Sequence, residues 1–312
     1  MRILITGGLG FIGSHLVEKF EKDGHKLIIL TKSFVKKKNI DESKKIKIEK
    51  IDVTNFKKLG ESIDKHKPQL IIHLAGQTSH SKSFENPIMD LDSNSKSTLF
   101  ILEKIRKMKN PPTFILGSTF IVIGKPKKLP VNEETACNPS TIYGTNRLSS
   151  EYFCKIYHNV YGLDTKIFRI TNSFGPREQI IASKNAVNYL IHQAYRGEKI
   201  TIINEGNFFR DLIYISDVIS GIDTIIKKGK SGELYWISSS KKTWFSDFGK
   251  LLEKSTSAKV EYIKTPIYTQ KVDVGNFLVS NKKLTSLGWK PKVSTQEGIR
   301  KTLDYFDSKD KN

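Results

Sequence analysis

The stretch LITGGLGFIGSHL, residues 4–16, constrains the fold more than any other part of this 312-residue chain. Gly7, Gly10 and Gly13 stand three apart between an apolar β-type run, RILIT at 2–6, and a helix-period segment, FIGSHLVEKFEKDG. Glycines in that setting let the chain turn tightly from strand to helix. They also let the backbone approach a pyrophosphate and let the helix pack closely on the strand. The helix N-terminus then offers N–H donors and the positive end of its dipole to phosphate. The motif therefore predicts a strand–turn–helix unit that holds a dinucleotide.

The following sequence continues the alternation. KLIIL (26–30), IKIEKI (46–51), LIIHLA (70–75), TFILGS (113–118) and TKIFRI (165–170) read as strands, and KSTLFILEKIRKM has a helix-period apolar face. Continuous β-branched runs between helices indicate a parallel sheet covered on both faces, a Rossmann-type doubly wound α/β lobe. We assign residues 1–172 to this lobe. After it the pattern loosens to a helix near 182–196, a short strand at 200–203, then DLIYISDVISGIDTII and GELYWIS. Residues 173–312 are expected to form a smaller mixed α/β lobe, with the chain returning to the first near 211–225 and 233–238.

A net charge of +20 raises the question of nucleic acid. The lysines are scattered in small groups such as KKK at 36–38, and no basic helix or aromatic–basic stripe runs through the chain, so a solvated lysine surface is expected instead. Anionic small substrates would still be drawn to it. Cys137 and Cys154 make no disulfide framework and lack metal-ligand spacing, which fits a reducing cytoplasm and no metal. No apolar run approaches a membrane span, and the N-terminus enters a strand without a secretory signal.

Cofactor choice is written at the end of the second strand, where a carboxylate would bind the adenosine ribose and repel a 2′-phosphate. Here the residues are Thr31, Lys32 and Ser33. Hydroxyls and a lysine suit a 2′-phosphate, so NADP is favoured over NAD, which stays open. Asp52 and Val53, after the third strand, are placed for the adenine edge.

The segment STIYGTNRLSSEY, 140–152, sets Tyr143 one helical turn before Arg147. Only 8 of the 52 basic residues are Arg, so an arginine here calls for a reason. A fixed cation should lower the phenol's pKa from about 10.

Several spaced segments carry a resemblance: TGGLGFIG (6–13), IIHLAGQTSHSKSFENP (71–87) with Asn94 following, GSTFIVIG (117–124), YGTNR (143–147), FRITNSFGPRE (168–178), GNFFRDLIYISDV (206–218) and LGWKPKVSTQEGIRKT (287–302). Over nearly its whole length the chain resembles an extended short-chain dehydrogenase/reductase of the nucleotide-sugar epimerase/dehydratase group. The resemblance implies that Gly7, Gly10, Phe11, Ile12, Gly13, Leu74 and Ala75 line the cofactor. It makes Thr119 the hydroxyl that hydrogen-bonds the reacting sugar oxygen and Tyr143 the proton donor and acceptor on it. It sets Ser118 beside them, Asn172 on the nucleotide sugar and Arg210 on its diphosphate or base side. A homodimer through the helix near 90–108 and the Tyr143 helix is also implied.

Two departures shape the expected chemistry. The group's dehydratases carry Asp-Glu directly after the hydroxyl residue; here Phe120 and Ile121 stand there and cannot move a proton, which argues against a 4,6-dehydratase. The family's Tyr-x-x-x-Lys is here Tyr143-x-x-x-Arg147. Arginine keeps the charge and can clamp two ribose hydroxyls, but it cannot relay a proton. An epimerase returns the proton it takes, so it tolerates that loss better than a one-way reductase does. The leading expectation is an NAD(P)-dependent nucleotide-sugar epimerase acting through a transient keto sugar, at C4. An NADPH-dependent 4-keto-sugar reductase and a non-catalytic nucleotide-sugar binder are the alternatives.

Overall fold

Strand β1 (Arg2–Thr6) is buried from Ile3 to Thr6 and lies inside a seven-stranded sheet of the computed structural model, which describes residues 1–40, 43–181, 185–265 and 273–311. With β2 (Lys26–Thr31), β3 (Ile46–Lys50), β4 (Leu70–His73), β5 (Thr113–Thr119), β6 (Thr165–Ile170) and an edge strand Leu234–Ile237, every neighbouring pair in this sheet is parallel. Its order runs from the edge strand through β6, β5, β4, β1 and β2 to β3. The chain winds outward from β1 to β3, then crosses back to β4. The direction of winding reverses between β1 and β4, the kind of switch point beyond whose strands' carboxyl ends open parallel α/β sheets bind their ligands.

Period-2 alternation feeds two cores, one on each face. Ile3, Ile5, Leu27, Ile29, Leu70 and Ile72 join one cluster, while Leu4, Ile28, Leu30, Ile71, Phe114 and Leu116 join the other. The first face is covered by α1 (Phe11–Lys22), which buries Phe11, Leu16, Val17 and Phe20. The second is covered by α2 (Phe56–His66), whose Leu59 and Ile63 are buried, and by the two helices that carry the site's support. Each fully buried aliphatic side chain contributes about 1.5–3 kcal/mol, so these alternating strands supply much of the drive to fold.

The helix expected from 96–108 begins earlier. Short helices α3 (His80–Glu85) and α4 (Pro87–Leu91) lead through a π-helical turn, Asp92–Lys96, into α5 (Ser97–Ile105). A π-turn inside a helical run is uncommon and tends to mark a functional site. Helix α6 (Ile142–Tyr161) starts on Thr141, whose hydroxyl accepts from the Gly144 N–H at 3.0 Å. It ends at Gly162, φ 68°, whose N–H bonds the His158 carbonyl at 2.9 Å.

Beyond β6 the strands are short. In order they are β7 (Asn172–Phe174), β8 (Ile200–Ile203), β9 (Phe209–Arg210), β10 (Leu212–Tyr214), the edge strand β11 (Leu234–Ile237), β12 (Thr243–Trp244) and β13 (Val260–Ile263). β10 pairs β7, β13 pairs β8, and β12 pairs β9, each as a separate two-stranded sheet. The helix expected near 182–196 is observed as α7 (Ala186–Tyr195), and residues 182–184 lie outside the described set. The stretch 211–226 divides into β10 and α8 (Ile215–Lys228), which packs on α1. β4 stops at His73, so Leu74 and Ala75 lie beyond the strand rather than in it. Among the described residues no helix is long and apolar enough to cross a membrane.

Candidate active site

Gly7 leaves β1 at φ 73°, the left-handed region where a side chain is strained, and a Cβ there would sit 3.0 Å from the Ala75 nitrogen. The loop is tied by Gly7 N–H to the Leu30 carbonyl and Gly10 N–H to the Gly7 carbonyl, both at 2.9 Å. At Gly13 a Cβ would collide with the Gly7 carbonyl oxygen and lie 2.7 Å from the Gly8 Cα. Gly10 caps α1 without a side-chain hydrogen bond, and no acidic residue occupies the first turn, which begins Phe11-Ile12. The helix N-terminus thus keeps N–H donors for an anion. This cradle fits a dinucleotide pyrophosphate.

At the end of β2, Thr31 Oγ1 donates to the Ser33 carbonyl at 2.8 Å, and the Lys32 side chain is exposed. Asp52 is exposed and accepts from Thr54 N–H (3.0 Å) and Thr54 Oγ1 (2.9 Å), beside the buried Val53. Ala75 N–H donates to Thr6 Oγ1 at 3.1 Å, and that hydroxyl lies 2.7 Å from His73 Nδ1. Ser97 Oγ takes the other ring nitrogen at 3.1 Å. Complete burial, with the Arg147 charge adding to it, pushes the His73 pKa down to about 3, so the ring is neutral and ties β4 to β1 and α5.

At the expected reacting end, β5 delivers Thr119 and the first turn of α6 delivers Tyr143, and the Thr119 hydroxyl lies close enough to the phenol to act on its pKa. The His80 ring stacks near Tyr143, with centroids 5.8 Å apart and planes at 23°. The expectation of a lowered phenol pKa requires correction. Burial raises it, and this outweighs the pull of Arg147 and of the Thr119 hydroxyl, with Asp90 pushing the same way as burial. The cation acts in the expected direction, but desolvation of the phenolate is the larger effect.

Arg147 is buried at 5% exposure, and its Nε has no hydrogen-bond partner among the described residues. The Asn94 Oδ1 is likewise buried and unpartnered, although its Nδ2 donates to the Gln77 carbonyl at 2.9 Å. Both side chains close on Gly76: a Cβ there would collide with Asn94 Oδ1 and lie 3.6 Å from Arg147 Nη1. Unsatisfied buried polar atoms of this kind suit a polar ligand that would complete them.

Of the other expected residues, Ser118 and Arg210 already have protein partners. Ser118 does not offer a free hydroxyl beside the pair, because its Oγ donates to the buried Glu151 carboxylate at 2.5 Å. Asn172 follows β6, two residues past Ile170, the register partner of Thr119, and its Oδ1 is buried without a described partner. Arg210 is buried and already engaged: Nη2 donates to Asp273 Oδ1 at 2.5 Å, Nη1 donates to the Gly275 carbonyl, and the guanidinium lies 4.8 Å over the Phe208 ring. Phe120 packs against Phe277 at 5.1 Å and Ile121 is buried.

Residue-by-residue reading missed the scaffold behind Tyr143. Asp90, fully buried, accepts from Asn146 Nδ2 at 2.7 Å and from Gln77 Nε2 at 2.9 Å, joining α4, α6 and the loop after β4. No local signal distinguishes Asp90 from an exposed helix acid. Among the described residues no cluster of three potential metal ligands occurs.

Comparison with known proteins adds an independent line. A model of the NAD dependent epimerase/dehydratase family matches residues 3–238. A putative UDP-glucose 4-epimerase of Methanocaldococcus jannaschii is 30% identical over 97% of this chain and 98% of its own length. The crystal structure of the Thermotoga maritima UDP-glucose 4-epimerase with UDP-glucose superposes with a TM-score of 0.91 at 29% identity, covering 99% of both chains. The Bacillus cereus UDP-glucuronic acid 4-epimerase, in complex with UDP-glucuronic acid and NAD, gives 0.87 at 26% identity over 99% of both chains.

Proposed function

Because the chain belongs to the NAD dependent epimerase/dehydratase family, we propose that it is a UDP-sugar epimerase that inverts C4 through a transient 4-keto sugar. The observation that carries this reading is the Thr119 hydroxyl set near the buried Tyr143 phenol, whose pKa it lowers, with the unpaired, buried Arg147 one helical turn away. The absence of an acid–base pair after Thr119 supports epimerisation over dehydration, since Phe120 and Ile121 are in apolar contacts. Two of the similar proteins are 4-epimerases solved with UDP sugars, which favours uridine as the base.

The glycine cradle of Gly7, Gly10 and Gly13 would hold a nicotinamide cofactor, which would supply a reversible hydride acceptor. The protein's part is proton management. Tyr143 takes the proton from the sugar's 4-hydroxyl and gives it back after the keto sugar presents its other face. Thr119 donates to the same oxygen and strengthens as that oxygen gains charge. Arg147 supplies a permanent positive charge that favours the phenolate, and its fork suits the ribose hydroxyls. Asp90, Asn146 and Gln77 hold the Tyr143 helix in register. The proton leaves and returns to one oxygen, so no relay to solvent is required and arginine suffices. A homodimer through α5 and α6 accords with Tyr152, Ile156 and Val160, which form an exposed stripe at i, i+4 and i+8 on α6.

Incubation with UDP-glucose and NAD(P), followed by chromatography for UDP-galactose and repeated with other UDP sugars, tests the proposal. Failure to interconvert any C4 epimer pair, with retention of cofactor and substrate binding, would leave the binder. A second reading, an NADPH-dependent 4-keto-sugar reductase, is favoured by the β2 terminus: Thr31 and the exposed Lys32 accompany no carboxylate. Lys32→Asp should then shift preference from NADP toward NAD by at least about tenfold, through loss of a charge-assisted contact and gain of a repulsive one. Titration of both cofactors against both proteins measures it. A wild type that already prefers NAD refutes the NADP reading.

Arg210→Ala should weaken UDP-sugar binding and leave cofactor affinity unchanged. Asp273 already engages this guanidinium, so a diphosphate has to compete with it, and we expect the low end of the range for such contacts, ~2 kcal/mol. Isothermal titration of both ligands decides the matter. An unchanged substrate Kd would make the Arg210–Asp273 pair structural.

A further inference from the structure

Tyr143, Arg147 and Glu151 occupy i, i+4 and i+8 on α6, so all three side chains share one buried face. An arginine and a glutamate one turn apart inside a protein would ordinarily pair. Here they do not. Both Glu151 oxygens are taken by Arg169 on β6, Nε to Oε1 at 2.9 Å and Nη2 to Oε2 at 2.6 Å, while Ser118 Oγ adds a third bond at 2.5 Å. The two charged side chains are 3% and 1% exposed. Arg169 is itself held by the face of Trp236, 5.3 Å from its guanidinium, and its Nη2 lies 3.1 Å from Cys137 Sγ. Arg147, by contrast, forms no ion pair among the described residues and leaves Nε unpartnered.

We propose that Arg169 is a positioning residue: by capturing Glu151 in a two-pronged pair it keeps that carboxylate off Arg147, whose guanidinium stays free for the cofactor ribose and the Tyr143 phenol. The register of the fold makes this possible. Ser118 is the direct partner of Arg169 across β5 and β6, and Thr119 is the next residue on β5. One network therefore locks the strand that carries the hydroxyl to the helix that carries the phenol. A planar guanidinium suits the task because it satisfies both carboxylate oxygens at once, leaving little acceptor capacity to reach back one turn. Lysine would hold one oxygen at a time.

The inference rests on the reading of Arg147 as ribose clamp and charge source, and the test separates the two. Arg169→Met should weaken NAD(P) binding by about tenfold or more, because the released carboxylate pairs with Arg147 and removes it from the ribose. It should also move the alkaline rise of the kcat–pH profile to higher pH, with Asp90, His80, His73 and Cys154, the other titratable groups around Tyr143 and Arg147, left in place. Arg169→Met/Glu151→Gln removes the competitor as well as its captor. It should bring cofactor affinity back to within about threefold of wild type and return the alkaline rise to its wild-type pH. A merely structural pair predicts the opposite, a double variant at least as impaired as the single. That result, or a wild-type Kd and pH profile in Arg169→Met, overturns the proposal. If Arg169→Met does not fold, Arg169→Lys takes its place, with a smaller loss that Glu151→Gln should again restore and the same overturning result. Arg147→Met is run alongside: a wild-type cofactor Kd in that variant defeats the ribose reading and this inference with it, whereas a weakened Arg147→Met beside an unaffected Arg169→Met defeats this inference alone.

Discussion

Tyr143→Phe is expected to remove turnover with UDP sugars, by roughly 10²–10⁴-fold or to the limit of detection, while cofactor affinity stays within a factor of two or so. The change deletes only the phenolic hydroxyl. The ring remains against His80 and the helix keeps its Thr141 cap. Rate and cofactor Kd are measured on the same preparation, and a variant turning over near the wild-type rate refutes the role of Tyr143. The pH dependence carries a sign that can be checked in advance. Burial raises the phenol's pKa, so Tyr143 is protonated at neutral pH in the free protein. With Tyr143 as the proposed base, removal of the sugar's proton needs the phenolate, so the rate of sugar oxidation should rise as pH increases through the neutral and mildly alkaline range. Loss of rate over that interval would mean that another group is the base.

Arg147→Met should lower both cofactor affinity and turnover. The methionine keeps much of the side-chain volume and removes the charge and the fork. Loss of one charge-assisted contact costs about 1.5–3 kcal/mol, a weakening of tenfold to more than a hundredfold in Kd. Without the cation the phenol's pKa should climb further, since Arg147 is the largest influence now lowering it. The alkaline rise in rate should shift to still higher pH. Arg147→Lys should retain substantial activity, because a cation remains in reach of the ring. A lysine can also pass a proton, so it should speed reduction of a 4-keto sugar more than it speeds epimerisation. Equal cofactor binding and equal turnover in Arg147→Met and wild type would remove Arg147 from the active site and favour the nucleotide-sugar binder.

Much of the architecture was open to reading because its causes are local. Strands such as Leu27–Leu30 announce themselves by continuous branched side chains that fill both faces of a covered parallel sheet. The turn at Gly7–Gly13 is legible because only glycine tolerates φ 73° at its entry and the close approach at its exit. The spacing of Tyr143 and Arg147 is legible because a helix puts i and i+4 on one face. The short pairings in the second half, β7 with β10 and β9 with β12, were not read, since two- and three-residue strands carry no periodic signal.

What the sequence by itself determined is which groups are present and on which face each element turns them. Tertiary structure decided which of those groups meet and how dry the meeting place is. The resemblance sets Ser118 beside Thr119 at the substrate, yet its hydroxyl bonds Glu151, 33 residues away. Arg210 looked available for a phosphate, yet Asp273 holds it across 63 residues. Tyr143 should have been acidified by its neighbour, yet burial raised its pKa instead. The physical reason is common to all three. Hydrogen-bond partners and desolvation are set by distant segments packed against a residue. An i, i+4 rule sees only the helix that carries it.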